Sequence, residues 1–266
     1  MSLIMSVNCK ICSQSSIPFA KALLLGKYKV QYFRCSRCGF IQTEDPYWIS
    51  EAYSDPVALS DIGLVHRNIR LSAVTKAMIF LFFQKRGKFI DYGGGYGLFV
   101  RLMRDGGFDF YWTDEYCPNL FAQGFTISDL ALGQFELLTA FEVFEHFIDP
   151  LAQIKQLMGF SRNILFSTVF IPSPTPFPDD WWYYAVEHGQ HVSLFSRDSL
   201  QYIAQELNLN YYTNGKSLHS LTDKKLASPL FRLISNPRVA VLISSFVRQP
   251  SLLKHDYFKL TGKKLK

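Results

Sequence analysis

Apolar and polar positions change their period along the chain, and those changes mark out its elements. Between residues 64 and 84, Ile69, Ala73, Ala77, Phe80 and Leu81 recur at helical spacing, which predicts a helix ending before Arg86-Gly87. Strands and helices then alternate. Phe89-Ile90 reads as a short strand. Residues 98–105 read as a helix with Phe99, Leu102 and Met103 on one side and Gly106-Gly107 as its stop. Further strands are expected at 108–113, 135–140 and 163–169, and further helices at 118–123, 149–158 and 196–207. The 149–158 helix carries Pro150 in its first turn, and the 196–207 helix opens on Ser196 as N-cap. Residues 210–213 and 217–221 flank Asn214-Gly215, a strong hairpin signal. The alternation predicts an α/β fold, a Rossmann-like, doubly wound and mostly parallel sheet with a terminal antiparallel hairpin. The stretch between Asp114 and Phe135 is short, so a strand there is expected to be weak.

On either side of this core the pattern differs. Residues 1–45 are turn-rich and carry four of the five cysteines, and they read as a small zinc-ribbon-like lobe. Residues 46–63 contain two prolines and read as a linker; 64–222 form the alternating domain. Residues 223–266 interleave apolar stretches with Arg232, Arg238 and Arg248 before a lysine-rich end, and read as a basic helical extension. Charge follows the same division. The net charge is +6, but from Lys216 to Lys266 eleven basic residues face two acidic ones, which leaves the body at −3. With 48% apolar and 19% charged residues, disorder over most of the chain is excluded. Residues 1–8 lack a basic segment followed by an apolar run, and the apolar stretches 77–83 and 239–247 fall short of the roughly 20 residues a bilayer span needs. The expectation is a soluble, cytoplasmic protein.

Cys9 and Cys12 form one CxxC knuckle, and Cys35 and Cys38 another, with 22 residues between them. Each knuckle turns two thiolates to one side, and two knuckles supply a tetrahedral zinc site. Four cysteine ligands leave no open position, so the expected zinc is structural. Buried free thiols or a redox pair are the alternatives. Cys117, beside Pro118, reads as packed.

Asp91-Tyr-Gly93-Gly94-Gly95-Tyr-Gly97 lies between an expected strand and an expected helix, the context that gives a glycine motif meaning. The glycines let the backbone approach a ligand, and the helix N-terminus favours an anionic group. An acid before the glycines would repel a pyrophosphate and suits a ligand bearing a cationic amino group. Asp114, 23 residues after Asp91, falls near the end of the next strand, where an acid can accept from ribose hydroxyls. In these motifs the chain resembles the class I S-adenosylmethionine-dependent methyltransferases over about residues 64–222. Asp91, Gly93, Gly95 and Gly97 match their first motif and Asp114 their ribose-binding acid, with Glu115 as neighbour. The resemblance implies S-adenosylmethionine as cofactor. A nicotinamide dehydrogenase is the competing fold reading, against which Asp91 and the absence of GxGxxG spacing count.

Two clusters are candidates for the acceptor side. Glu142, Glu145 and His146 sit at i, i+3 and i+4, and on a helix would share a face able to ligate a second divalent metal. This pattern resembles the metal site of methyltransferases acting on ubiquinone precursors and on small-RNA 3′ ends. A common structural turn is the plainer reading. The second cluster follows the fifth strand and a proline-rich loop: four aromatics, Trp181 to Tyr184, which offer flat platforms for a sugar or base, then Glu187, His188 and His191. His188 is the candidate general base, Glu187 its orienting partner, and His191 a second base or a further metal ligand. A zinc lobe, a methyltransferase core and a Glu-His after the fifth strand together resemble the sugar methyltransferases of deoxysugar pathways. In that family a Tyr stands two positions before the Glu, where this chain has Ala185.

The expected function is therefore methyl transfer to a small polar acceptor, a sugar in nucleotide-linked or glycan form. RNA or tRNA methylation, with zinc lobe and basic tail gripping nucleic acid, is the alternative, and a zinc-ribbon binding module without catalysis is a third. The extension could also contact a membrane surface.

Overall fold

The computed structural model describes residues 6–57, 61–129, 134–246 and 249–265. Residue Arg248 lies outside them. The N-terminal segment forms an antiparallel sheet of β1 (Val7–Asn8), β2 (Ser15–Leu24), β3 (Tyr28–Cys35) and β4 (Ile41–Thr43). The expected linker contains a short helix, α1 (Ile49–Ala52), and leads to α2 (Leu64–Phe82). Then come β5 (Lys88–Tyr92), α3 (Leu98–Asp105), β6 (Asp109–Thr113), β7 (Leu137–Phe141), α4 (Pro150–Leu157) and β8 (Asn163–Ser167). A two-residue strand, β9 (Ser193–Leu194), precedes α5 (Arg197–Glu206), β10 (Asn210–Thr213) and β11 (Leu218–Thr222). Three helices finish the chain: α6 (Ser228–Ile234), α7 (Pro237–Phe246) and α8 (Leu253–Thr261).

The larger sheet runs β10-β11-β8-β7-β5-β6. Its strands β6, β5, β7 and β8 are parallel, and β11 and β10 add the antiparallel hairpin. Among the described residues the weak strand beyond β6 is reduced to one parallel bridge, Trp112 to Thr126. Strands β5, β7 and β8 are buried almost throughout, as strands covered on both faces should be. Local signals hold where side chains cap ends: Asp149 accepts from the Ala152 amide ahead of Pro150, and Ser196 and Ser199 form a capping box on α5.

Three expectations need correction. Residues 118–123 are a turn and not a helix, because Asn119 takes the Ala122 amide at 2.8 Å and donates to its carbonyl at 2.9 Å, closing the backbone on itself. The hairpin loop is wider than Asn214-Gly215, since the Asn214 side chain accepts from the amides of Lys216, Ser217 and Leu218. The N-terminal sheet also takes its edge strand from far along the chain: β9 pairs with β4, Ile41 opposite Leu194 and Gln42 opposite Ser193. Phe40 meets Phe195 at 5.3 Å between ring centroids, which joins the two layers in one core.

The basic extension is packed rather than free. Phe231, Ile234 and Ala240 enter the core beside Val74, Ala77 and Met78 of α2. Asp256 of α8, 1% exposed, receives the guanidiniums of Arg104 and Arg101 at 2.8 Å. Among the described residues no helix is long and apolar enough to cross a membrane.

Candidate active site

The cysteines meet at the base of the N-terminal sheet, all four buried. Sγ–Sγ separations are 3.6 Å for Cys9–Cys38, 3.4 Å for Cys12–Cys35 and 3.6 Å for Cys12–Cys38. A disulfide would need about 2.05 Å. Four thiolates around zinc at about 2.3 Å stand roughly 3.8 Å apart, so the cluster has the size of a tetrahedral site. The Ile11 and Cys38 amides point at Cys9 and Cys35 sulfur, as amides in a metal knuckle do. Cys117 is apart from the cluster and half-buried.

At the C-terminal end of β5 the chain enters the glycine loop. Gly93, Gly95 and Gly97 have φ of +66°, +53° and +85°. Two of them need glycine for distinct reasons. A Cβ on Gly97 would lie 2.8 Å from Asn119 Oδ1 and 3.1 Å from Ala122. A Cβ on Gly95 would meet nothing, so its backbone faces open space at the mouth of the sheet. Asp114 pins this loop: Oδ2 accepts from the Gly95 amide at 2.8 Å, and Oδ1 accepts from the amides of Tyr116 and Cys117, also at 2.8 Å. Glu115 is exposed beside it. Asp91 lies below the loop, 3% exposed, and accepts from Thr139 Oγ1 at 2.6 Å. Burial pushes its carboxyl up to about 7, with Asp114 adding to the rise. Among the described residues no cation balances it, so a ligand ammonium group suits the place. The cradle and its two acids therefore fit S-adenosylmethionine.

The acceptor-side residues come from β7, the loop after it and the loop after β8. Gly93 abuts Val143, so the cluster adjoins the cofactor loop. Glu142 holds φ of +54°, unusual for a residue with a side chain and typical of functional turns. Its Oε1 accepts from Ser167 Oγ, and its amide donates to the same oxygen. Glu145 is fully buried, with Oε1 accepting from Tyr183 hydroxyl at 2.6 Å. Burial and the neighbouring Glu142 charge push its carboxyl up to about 8. His191 donates Nδ1–H to the Tyr183 carbonyl at 2.7 Å, which is the only arrangement an acceptor carbonyl allows. Burial, with His188 nearby, lowers His191 to about 4 and holds His146 well below its usual range. His188 is lowered chiefly by burial, and its Nδ1 is buried without a hydrogen-bond partner.

Not every expected residue joins this cluster. The group whose donor atoms converge is Glu145, His146 and His191, in place of Glu142, Glu145 and His146. Phe144 to His146 form a single 3-10 turn that begins after Glu142, whose φ of +54° takes it out of any helix, so Glu142 shares no helical face with Glu145 and His146. Glu187 is exposed and shares no hydrogen bond with His188; it acts on that ring through its charge alone. The aromatic run is not four platforms: Tyr183 and Tyr184 are buried and only Trp182 is widely exposed.

Two residues of the site have roles that spacing does not signal, Tyr183, expected only as a platform, and Tyr53, not expected at all. Tyr183 holds Glu145 and His191 together, and its hydroxyl also accepts from the Val169 amide at 3.0 Å. Tyr53, in the expected linker, stacks on Tyr116 at 3.8 Å and meets His146 Nδ1 at 2.8 Å, joining the cofactor edge to the histidines. Beside the cluster is a cavity of about 340 Å³, whose lining includes His66, Arg67, Arg70, Glu142, Ser167 and Asn214. Arg67 is paired with Asp61, while Arg70 is exposed without an ion pair among the described residues.

No curated protein matches the chain. Among solved structures, magnesium protoporphyrin IX methyltransferase from Synechocystis PCC 6803, with S-adenosylmethionine bound, aligns at TM-score 0.39 and 14% identity over 65% of this chain and 89% of that one. An O-methyltransferase family 2 protein from Planctomyces limnophilus in complex with apigenin gives 0.44 and 13%, covering 66% of each chain. An O-methyltransferase family protein from Burkholderia thailandensis gives 0.46 and 12%, over 68% of this chain and 64% of that one. The methyltransferase domain family matches residues 66–214, from α2 to the end of β10, and the chain belongs to that family as an S-adenosylmethionine-dependent methyltransferase.

Proposed function

We propose that the protein methylates a hydroxyl or carbon acid on a small, anionic, sugar-type acceptor such as a nucleotide-linked sugar. The observation that carries this reading is the convergence of His146, His188, His191 and Glu145 beside the glycine loop, next to a cavity bearing Arg67 and Arg70. Asp91, Gly93, Gly95, Gly97 and Asp114 bind the cofactor, and Cys9, Cys12, Cys35 and Cys38 hold a structural zinc. Residues 1–45 serve as the zinc lobe, 46–63 as a linker that contributes Tyr53, 64–222 as the catalytic domain and 223–266 as its packed extension.

S-adenosylmethionine supplies an already activated methyl group, so the chain's contribution is orientation and removal of one proton. A bond forms between the methyl carbon and the acceptor oxygen or carbon, and the carbon–sulfur bond breaks. The acceptor proton passes to His188. An imidazole lowered by burial is neutral at pH 7 and has a lone pair to offer, and the Glu187 charge favours the imidazolium that results. His191 and Glu145, fixed by Tyr183, define the wall behind it. The test is a His188→Ala variant assayed on a panel of nucleotide-linked sugars. We expect kcat to fall by about 10²–10⁴ with S-adenosylhomocysteine affinity intact. Near-normal turnover would remove His188 from the role, and salt-sensitive methylation of RNA with no turnover of sugars would move the acceptor to nucleic acid.

A further inference from the structure

The loop after β8 and the hairpin loop between β10 and β11 border a second cavity, of about 570 Å³, whose lining includes Phe170, Ile171, Pro172, Arg197, Lys216 and Ser217. Its walls are held in place by backbone. Asn214 Oδ1 accepts from the amides of Lys216, Ser217 and Leu218 at 2.8–3.1 Å. The Ser217 and Lys216 carbonyls in turn accept from the Thr168 and Phe170 amides. Phe170 packs on the His219 ring, 4.6 Å between centroids. That imidazole is 0% exposed and has both nitrogens committed. Its Nε2–H goes to the Thr168 carbonyl at 2.9 Å, and its Nδ1 accepts from the Thr213 and Tyr211 hydroxyls. A ring so used is neutral, so the charge of the cavity comes from Arg197 and Lys216. Both are exposed and without an ion pair or side-chain hydrogen bond among the described residues. Arg197 reaches from the first turn of α5 across Phe170, with its guanidinium 5.6 Å from the ring centroid. Its Nη2 comes within 3.7 Å of where a Cβ on Gly215 would stand. Among the described residues no acid lines the cavity.

We propose that this cavity is a second subsite, separate from the one at Arg67 and Arg70, which binds the nucleoside diphosphate end of the acceptor through Arg197 and Lys216. An unpaired guanidinium beside an ammonium group suits a phosphoryl group, and the planar fork of arginine meets two phosphate oxygens at once. A bare phosphate would leave Ile171 and Pro172 facing water, whereas the ribose and base of a nucleotide cover them. The volume lies within the roughly 300–1,000 Å³ of small-molecule sites. The position suits the reaction as well. Ser217 lines both this cavity and the one that holds Glu142 and Ser167. Ser167 and Phe170 are three residues apart, at most roughly 10 Å of chain, a span that a diphosphate and the sugar it carries can cover. The sugar then lies toward Glu142 and the nucleoside toward α5. The assignment rests on the methyl-transfer reading above.

The test is calorimetric titration of the zinc-loaded full chain with ADP, GDP, CDP, UDP and thymidine diphosphate, with and without S-adenosylhomocysteine. At least one of these nucleotides is expected to bind at a single site per chain. Its affinity should fall about tenfold in Arg197→Ala and in Lys216→Ala, because hydrogen bonds to charged groups are the stronger ones. Arg162→Ala, which removes an exposed arginine at the opposite end of β8, should leave it unchanged. Binding by none of the five, or unaltered affinity in Arg197→Ala, would overturn the proposal. Inorganic pyrophosphate binding as tightly as the best nucleotide would refute the nucleoside part and leave an anion site. Titration with S-adenosylhomocysteine alone keeps the two readings apart. Cofactor binding without nucleotide binding refutes the subsite alone, and nucleotide binding without cofactor binding refutes the methyltransferase reading alone.

Discussion

Replacing Asp256 by Asn should detach the basic extension from the core, and the size of the effect follows from what surrounds that carboxylate. Asp256 and Arg104 are each 2% exposed by side chain and meet at 2.8 Å, and Arg101 adds a second contact from α3. Removing one partner of a buried ion pair costs about 3–5 kcal/mol because the other charge is left without compensation. Arg104 keeps part of its compensation through Asp109 and the Phe110 carbonyl, which argues for about 3 kcal/mol. For a chain of this size roughly 1 kcal/mol moves Tm by about 2–4 °C, so Asp256→Asn should melt about 6–12 °C below wild type. Arg162→Ala is the control. Its bridge to Asp223 is half exposed on both sides, worth about 0–1 kcal/mol, and should move Tm by about 4 °C or less. Acidity adds a second check. Burial works to raise the Asp256 carboxyl, but Arg104 and Arg101 outweigh it and hold the group below its ordinary range. A depressed acid contributes its stability above the unfolded value of about 3.9 and loses it as pH falls through the folded one. The gap between wild type and variant should therefore persist from pH 8 to pH 5 in thermal melts. A variant melting within 2 °C of wild type would refute the reasoning and return the extension to the status of a free, basic tail.

Two further outcomes follow from the site. Metal analysis after chelator treatment should retain one zinc per chain, lost in Cys35→Ser together with cooperative melting of the N-terminal sheet; a zinc-free wild type that melts normally would contradict the structural role. Arg70→Ala should raise KM for a phosphate-bearing acceptor about tenfold while leaving KM for S-adenosylmethionine unchanged, and equal KM values for phosphorylated and neutral acceptors in the wild type would remove the cavity from acceptor recognition.

The parts of the molecule legible in the sequence are those encoded over short distances. The Asp91-to-Gly97 loop, the cysteine knuckles, the Ser196 cap and the antiparallel hairpin each depend on residues a few positions apart, so spacing reveals them. What was not legible depends on contacts between distant segments. Tyr53 meets His146 across 93 residues and Tyr183 meets Glu145 across 38, and neither spacing has a period to detect. β9 is two residues long and becomes a strand only because β4 is there to pair with it. The expected Glu142–Glu145–His146 face failed for a local reason: three residues of 3-10 turn end before a helical stripe can form, and His191, from another loop, takes the place of Glu142. The charge asymmetry was visible, but its meaning was not, since the acidic partner that anchors the extension is one of only two acids within it.

The most direct test of the account is calorimetric titration of S-adenosylhomocysteine into the zinc-loaded full chain at several pH values. One site per chain is predicted. Asp91 sits at about 7 without a ligand, and a cationic amino group binds its ionised form, so affinity should fall by about tenfold from pH 8 to pH 6. Asp91→Asn should bind more weakly and lose that dependence. No binding by wild type would contradict the cofactor assignment, and wild-type affinity with an unchanged pH profile in Asp91→Asn would contradict the role given to the acid beneath the glycine loop.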